Sequence, residues 1–251
     1  MLDELGEVEW FMYVVSGNRS IVEESTLAQV ELVSGVVLPS AYRSFLMKYG
    51  EGTYRGWMNV ARPDEEVLKP FAEYGLWEHD DDSPITEEQI GSCVSLGTSV
   101  DGDFLAVHPE VEGLLWLPRH NDRISLLQPA DGDYPTMLDA IYQRVYERSA
   151  AEPSWFEPWY EERTVQFYIF TKETRKLSLP SLAQAARERW HPDFIIENEY
   201  SCKLFYRPLG GYLRFNYATE TEVAVLMDCV TSPLIPEMTA WLEQHGGRRM
   251  S

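Results

Sequence analysis

The sequence predicts an α+β protein in two parts: an antiparallel sheet with surrounding helices, followed by a smaller α+β sandwich. Three observations carry this. Residues 38–52 hold a helical pattern with its own start and stop. Residues 92–128 hold a series of short strand patterns separated by turn signals. From Thr164 a second strand-and-helix series begins, after a stretch rich in proline and tryptophan. The parts divide as residues 1–148, a linker at 149–160, and residues 161–251. Hydrophobic residues make up 44% and aromatic residues 13%, enough to pack a core in each.

Residues 9–15 are largely apolar and end at the turn signal Gly17-Asn18, which fits either a short helix or an edge strand. Over 21–34, Ile21, Leu27, Val30 and Val33 recur at roughly helical spacing, with Ser25 and Thr26 as cap candidates. The next helix reads plainly. Pro39 suits a first helical turn, where its missing N–H is not needed. Tyr42, Phe45, Leu46 and Tyr49 form a stripe at i, i+3, i+4 and i+7. Gly50 then stops the helix. Residues 53–60 read as a strand and 63–79 as holding a helix through Val67, Phe71 and Tyr74. The acidic loop 78–82 follows.

The meander comprises strands at 94–96, 104–107, 113–117 and 124–127, with Asp101-Gly102 as the hairpin turn between the first two. A helix over 135–148 places Met137, Leu138, Ile141, Val145 and Tyr146 on one face. Pro153 and Pro158 argue against a continuous element in 149–160, so Trp155, Phe156 and Trp159 read as linker aromatics. In the second part, strands are expected at 165–170, 194–199, 203–207, 212–217 and 222–230. Helices are expected at 179–190, with Leu182, Ala185 and Ala186 inward, and at 236–245. Oligomeric state stays open, since free strand edges in this part could pair.

Charge divides the chain in the same place. The total is −20. Residues 1–160 hold 29 Asp and Glu against 10 Lys and Arg, a balance of −19; residues 161–251 hold 12 against 11, a balance of −1. Such a field repels nucleic acid and anionic lipid, and it attracts basic proteins and speeds encounter with them. Solubility alone would explain an acidic excess. It does not require that the excess sit in one half.

Other chemistries leave little trace. No apolar run approaches the roughly 20 residues that span a bilayer. The acidic first nine residues lack a basic n-region, so no export signal is read and the cytoplasm is the expected compartment. Cys93, Cys202 and Cys229 are odd in number and widely spaced, which fits reduced thiols. His79, His108, His120, His191 and His245 do not cluster with them, so no metal site is expected. There is no P-loop, no dinucleotide-binding glycine motif and no nucleophile elbow, hence no expected cofactor. Asp101 and Asp103 bracket Gly102 and could suggest a metal or a hydrolytic pair. No further oxygen ligands follow as in a calcium loop, and a hairpin glycine explains the spacing. Asp131-Gly132-Asp133 reads the same way.

Residues 22–150 resemble the SMI1/KNR4 family, also called the SUKH superfamily. The carriers are Leu38-Pro39, Tyr42, Phe45-Leu46 and Tyr49-Gly50; then Leu96-Gly97-Thr98-Ser99 with Asp101-Gly102-Asp103 and the strand at 104–107; then the strand at 113–116, one near Ile124, and the helix through Leu138 and Ile141. The resemblance implies helices around an antiparallel sheet. It also implies a binding role without catalysis. Bacterial members are mostly immunity proteins that neutralise a cognate toxin domain, often a nuclease or deaminase. Eukaryotic members act as regulatory scaffolds. Both remain open here, and residues 161–251 lie outside the resemblance.

The residues expected to meet a basic toxin domain follow from charge and side-chain type. Glu78, Asp80, Asp81 and Asp82 on the acidic loop would face the Lys and Arg that a nuclease turns toward phosphate; the plain alternative is a solvated loop. Asp101 and Asp103 add acids at the hairpin. Trp57, Trp77 and Trp116 are candidates for interface anchors, although most tryptophans are largely core. Glu51 and Trp57 follow the Gly50 turn and are placed near one edge of the sheet.

Overall fold

The computed structural model describes residues 12–128, 131–147 and 153–250. The chain groups into two units. One contains residues 19–159, and the other joins residues 13–18 to 160–251. Residues 13–18, which include the first element, β1 (Tyr13–Val14), group with the second unit. The remainder of 9–15, through residue 11, lies outside the described residues.

The first unit begins with α1 (Glu24–Ser34), which packs on α2 (Ser40–Tyr49). Of the stripe expected for α1, Leu27 is buried, but Ile21 and Val33 face water. Val22 and Val36, just outside the helix, are buried instead. α2 folds as read: Pro39 stands immediately before it, Tyr42, Phe45 and Leu46 are buried, and Gly50 ends it at φ 75°. The expected strand over 53–60 is a hairpin, β2 (Gly52–Tyr54) and β3 (Met58–Asp64). Arg55 and Gly56 both take positive φ, as a tight hairpin turn requires. The Trp57 N–H closes the turn on Tyr54 O at 3.0 Å. Arg-Gly lacks the Asn or Asp that usually announces such a turn, so the pair hid inside a strand pattern.

In place of the helix expected over 63–79 there is one 3-10 turn, Lys69–Glu73. The short α3 (Glu87–Ile90) follows, opened by a reciprocal cap between Thr86 and Gln89. The meander is as expected: β4 (Val94–Ser99), β5 (Phe104–His108), β6 (Val111–Leu117) and β7 (Ser125–Leu127). Asp133 caps α4 (Tyr134–Tyr146) by accepting from the Thr136 N–H at 2.9 Å. Residues 153–159 are not a linker. They contain β8 (Trp155–Pro158), which pairs antiparallel with β2 through Tyr54 and Phe156. Phe156 is fully buried, edge-on to Phe45 at 4.9 Å. Pro153 and Pro158 flank or end the strand, where a missing N–H does no damage.

Within this unit the strand order is β8-β2-β3-β4-β5-β6-β7, every neighbour antiparallel. Both faces are covered. Phe104, Ala106, Leu115 and Leu117 join Leu68, Trp77, Ile85 and Ile90 on one face. Alternation sends Leu105 and Trp116 to the other, toward α4.

The second unit follows its expected order closely. It holds β9 (Thr164–Ile169), α5 (Leu179–Trp190), β10 (Phe194–Glu197), β11 (Ser201–Tyr206), β12 (Gly211–Asn216), β13 (Glu222–Met227), α6 (Leu234–Gln244) and an unexpected β14 (Arg248–Arg249). The sheet order is β10-β11-β12-β13-β9-β14, again antiparallel. Leu182 and Ala186 of α5 and Trp241 of α6 share one cluster with Tyr168, Leu204, Phe215 and Val225. On the opposite face Tyr13 stacks on Phe194 at 4.7 Å and meets Phe205 at 5.7 Å. That aromatic contact explains why residues 13–18 fold with this unit. Among the described residues no helix is long and apolar enough to cross a membrane.

Candidate partner-binding site

The β4–β5 turn organises one end of the first sheet. The Ser99 N–H bonds Asp103 O at 2.8 Å, and the Gly102 N–H bonds Ser99 O at 3.1 Å. Gly102 sits at φ 92°, and a Cβ there would lie 2.9 Å from the Arg119 side chain, so the glycine serves the turn. The Ser99 hydroxyl donates to the Asp103 carboxylate at 2.6 Å and accepts from the N–H groups of Asp101 and Asp103. The same carboxylate accepts from the Arg119 N–H at 2.8 Å. Asp103 and Ser99 are both buried. The pair is therefore a structural brace: the hydroxyl and carboxylate, the types that serve elsewhere as nucleophile and base, are committed to holding the turn.

Beside this turn lies a cavity of about 350 Å³. Asp101, Asp103 and Trp116 line it, together with Arg123, Arg144 and Tyr146. The Tyr146 hydroxyl donates to Asp101 at 3.2 Å and to Asp103 at 3.4 Å. Burial pushes its phenol well above the ordinary value; the two carboxylates add to this, and it stays a neutral donor. Behind it stands Trp57, 6.0 Å from the Tyr146 ring and 5.1 Å from Tyr142.

The acidic loop is tied to the same end of the sheet. The Trp77 indole N–H donates to Pro118 O at 2.7 Å, and the Glu78 N–H to Asp122 O at 2.7 Å. Arg123 then reaches Asp80 at 3.2 Å and Glu78 at 4.0 Å. Asp81 and Asp82 follow, exposed, and no ion pair holds either among the described residues.

The expected site is thus partly assembled. Asp101, Asp103 and Trp116 share a cavity, and Glu78 and Asp80 reach its rim through Arg123. Three corrections follow. Trp57, Trp77 and Trp116 are 8%, 6% and 3% exposed, so they are core residues and not surface anchors. The Trp77 indole braces the acidic loop through its bond to Pro118 O. Asp103 is buried and internally bonded, so it presents no free charge. Glu51 is elsewhere: it accepts three hydrogen bonds from Arg62, from the backbone N–H at 2.9 Å and the guanidinium at 3.0 and 2.6 Å. Partial burial alone would raise its carboxyl; the Arg62 bonds outweigh that and hold it below the usual range. Trp159, not a cavity residue, bonds its backbone oxygen.

The sequence did not point to Tyr146, Arg123 or Arg144. Tyr146 reads as one more core position on a helical stripe. The arginines are two cations in a strongly acidic region, and only the fold brings them to one edge. Among the described residues no three His, Cys, Asp or Glu side chains gather as a metal site would need. Comparison of the chain with family models, with curated proteins and with solved structures found no match in any of the three.

Proposed function

We propose that this chain is an immunity protein: it binds a cationic toxin domain and silences it by covering the active site, with no bond-making of its own. One observation carries the reading. Residues 1–160 hold a charge balance of −19, and exposed Asp81, Asp82 and Asp101 stand at the end of the first sheet where one arginine already serves Glu78 and Asp80. Carboxylates left without cations attract a basic partner over a Debye length, about 8 Å at physiological salt. The resemblance of residues 22–150 to the SMI1/KNR4 family supports the same reading, through the ordered segments at 38–50 and 96–107. The partner proposed is a basic nuclease or deaminase domain. Nucleic acid and membrane are disfavoured by the sign of the charge, and the cytoplasm is where such an inhibitor works.

The test is co-expression with a basic nuclease or deaminase toxin domain, followed by stopped-flow association of the two purified proteins. Rescue of growth is expected. Raising salt from about 0.02 to 0.5 M should slow association at least ~10-fold while dissociation changes by less than ~3-fold. An association rate indifferent to salt would refute the steering argument. A regulatory scaffold would rescue cells from no toxin at all.

A further inference from the structure

The corner between α1 and α2 has an unusual surface. Leu32, Val33 and Val37 are 79%, 62% and 83% exposed. Three aliphatic side chains that open to water within six positions are not the isolated exposures common on any protein. α1 ends at Gly35, where a Cβ would lie 3.7 Å from the side chain of Pro109. The corner therefore abuts the β5–β6 turn. Between them lies a cavity of about 490 Å³, lined by Val37, Val107, Pro109 and Val111, with buried His108 in the wall. The wall is braced: the Glu110 N–H donates to His108 Nδ1 at 3.2 Å. Exposed Glu110 and Glu112 also line the cavity. Glu110 accepts from the neutral Gln89 amide at 3.0 Å, and among the described residues no cation pairs with either glutamate.

From this placement we infer that the corner is a docking surface for a basic protein segment. A partner's apolar side chain would enter beside Val37, and its flanking Lys or Arg would meet Glu110 and Glu112. The inference rests on the cationic-partner reading above and gives it an apolar anchor, which the buried tryptophans cannot supply. Charge complementarity selects the occupant. A second copy of this chain, itself at −20, would bring glutamates against glutamates. A basic partner gains at both the apolar centre and the acidic rim.

The experiment uses the full chain and two labelled peptides: a short helical peptide of lysine and leucine, and its analogue with every leucine replaced by serine. Binding is read by fluorescence anisotropy. The leucine peptide should bind at least ~10-fold more tightly than the serine peptide, and the Leu32→Ser/Val37→Ser variant should close that gap to under ~2-fold. Both substituted side chains are exposed, so an unchanged thermal midpoint verifies the fold. Glu110→Gln/Glu112→Gln should weaken both peptides alike. The docking corner is refuted if leucine confers no advantage, if the advantage survives the double serine variant, or if sedimentation shows a dimer that the serine variant dissolves. The cationic-partner reading fails separately, if neither peptide binds at low salt.

Discussion

In the second unit five arginines meet carboxylates: Arg163 with Asp228, Arg175 with Glu220, Arg187 with Glu197, Arg189 with Glu237 and Arg214 with Glu222. In the first unit Arg43, Arg55, Arg62, Lys69 and Arg123 are engaged in the same way. The units differ in what is left over. Residues 161–251 hold 12 acids for 11 cations, whereas residues 1–160 hold 29 for 10. Pairing alone therefore does not distinguish them. Paired charges within a fold are matters of local stability, and an unpaired surplus is a long-range field. Only the first unit has the second property.

The largest effect is expected at the Arg163–Asp228 pair. The Asp228 side chain is 1% exposed, and Arg163 grips it at 2.6 and 3.1 Å. Removing its partner leaves the buried Asp228 carboxylate uncompensated, so Arg163→Ala should cost the second unit about 3–5 kcal/mol in urea unfolding. Its effect on association with a basic partner should be small. A loss below ~1 kcal/mol would mean that the pair is not buried as described.

A smaller effect separates two neighbouring acids of the first unit. Asp103→Ala strands the Ser99 hydroxyl and the Arg119 N–H, and should cost about 1–3 kcal/mol. Asp101→Ala, at an exposed position, should cost less than ~0.5 kcal/mol and yet slow capture of a basic partner. If the two variants were equally destabilised, the assignment of one acid to structure and the other to the field would fail.

A modest effect that pH reads out is expected at Glu51. Its folded carboxyl titrates below the unfolded value of about 4.3. The Arg62 pair thus stabilises fully above that value, and the contribution disappears as pH falls through the lower folded one. Because Arg62 is largely exposed, Glu51→Gln should cost no more than ~1 kcal/mol at neutral pH and should flatten acid-induced unfolding below pH ~4. An unaltered acid limb would remove Glu51 from the pH response.

Much of the fold was legible because it is written in local periods. α2 and the second unit's α5 lie where the apolar stripes put them, and the Asp101-Gly102 turn is where its residue types require. The Arg55-Gly56 turn was not legible, because its dipeptide resembles strand continuation. β8 was not legible either. Two prolines signalled interruption, and only the pairing of Phe156 with Tyr54 shows a strand between them. Of the candidate site, Asp101, Asp80 and Glu78 were legible as acids on turns. Tyr146 and the arginines were not.

The amino-acid order by itself determined α2, α5, the Asp101-Gly102 turn and the charge asymmetry. Each depends on a residue and its near neighbours: a 3.6- or 2-residue period, a φ that few side chains accept, a count of carboxylates. Tertiary structure alone decided burial. It sent Trp57, Trp77 and Trp116 inside, left Leu32, Val33 and Val37 in water, and set the Tyr13 ring against Phe194 and Phe205. Whether an apolar side chain becomes core or surface depends on which distant segment comes to cover it, and no local pattern contains that segment.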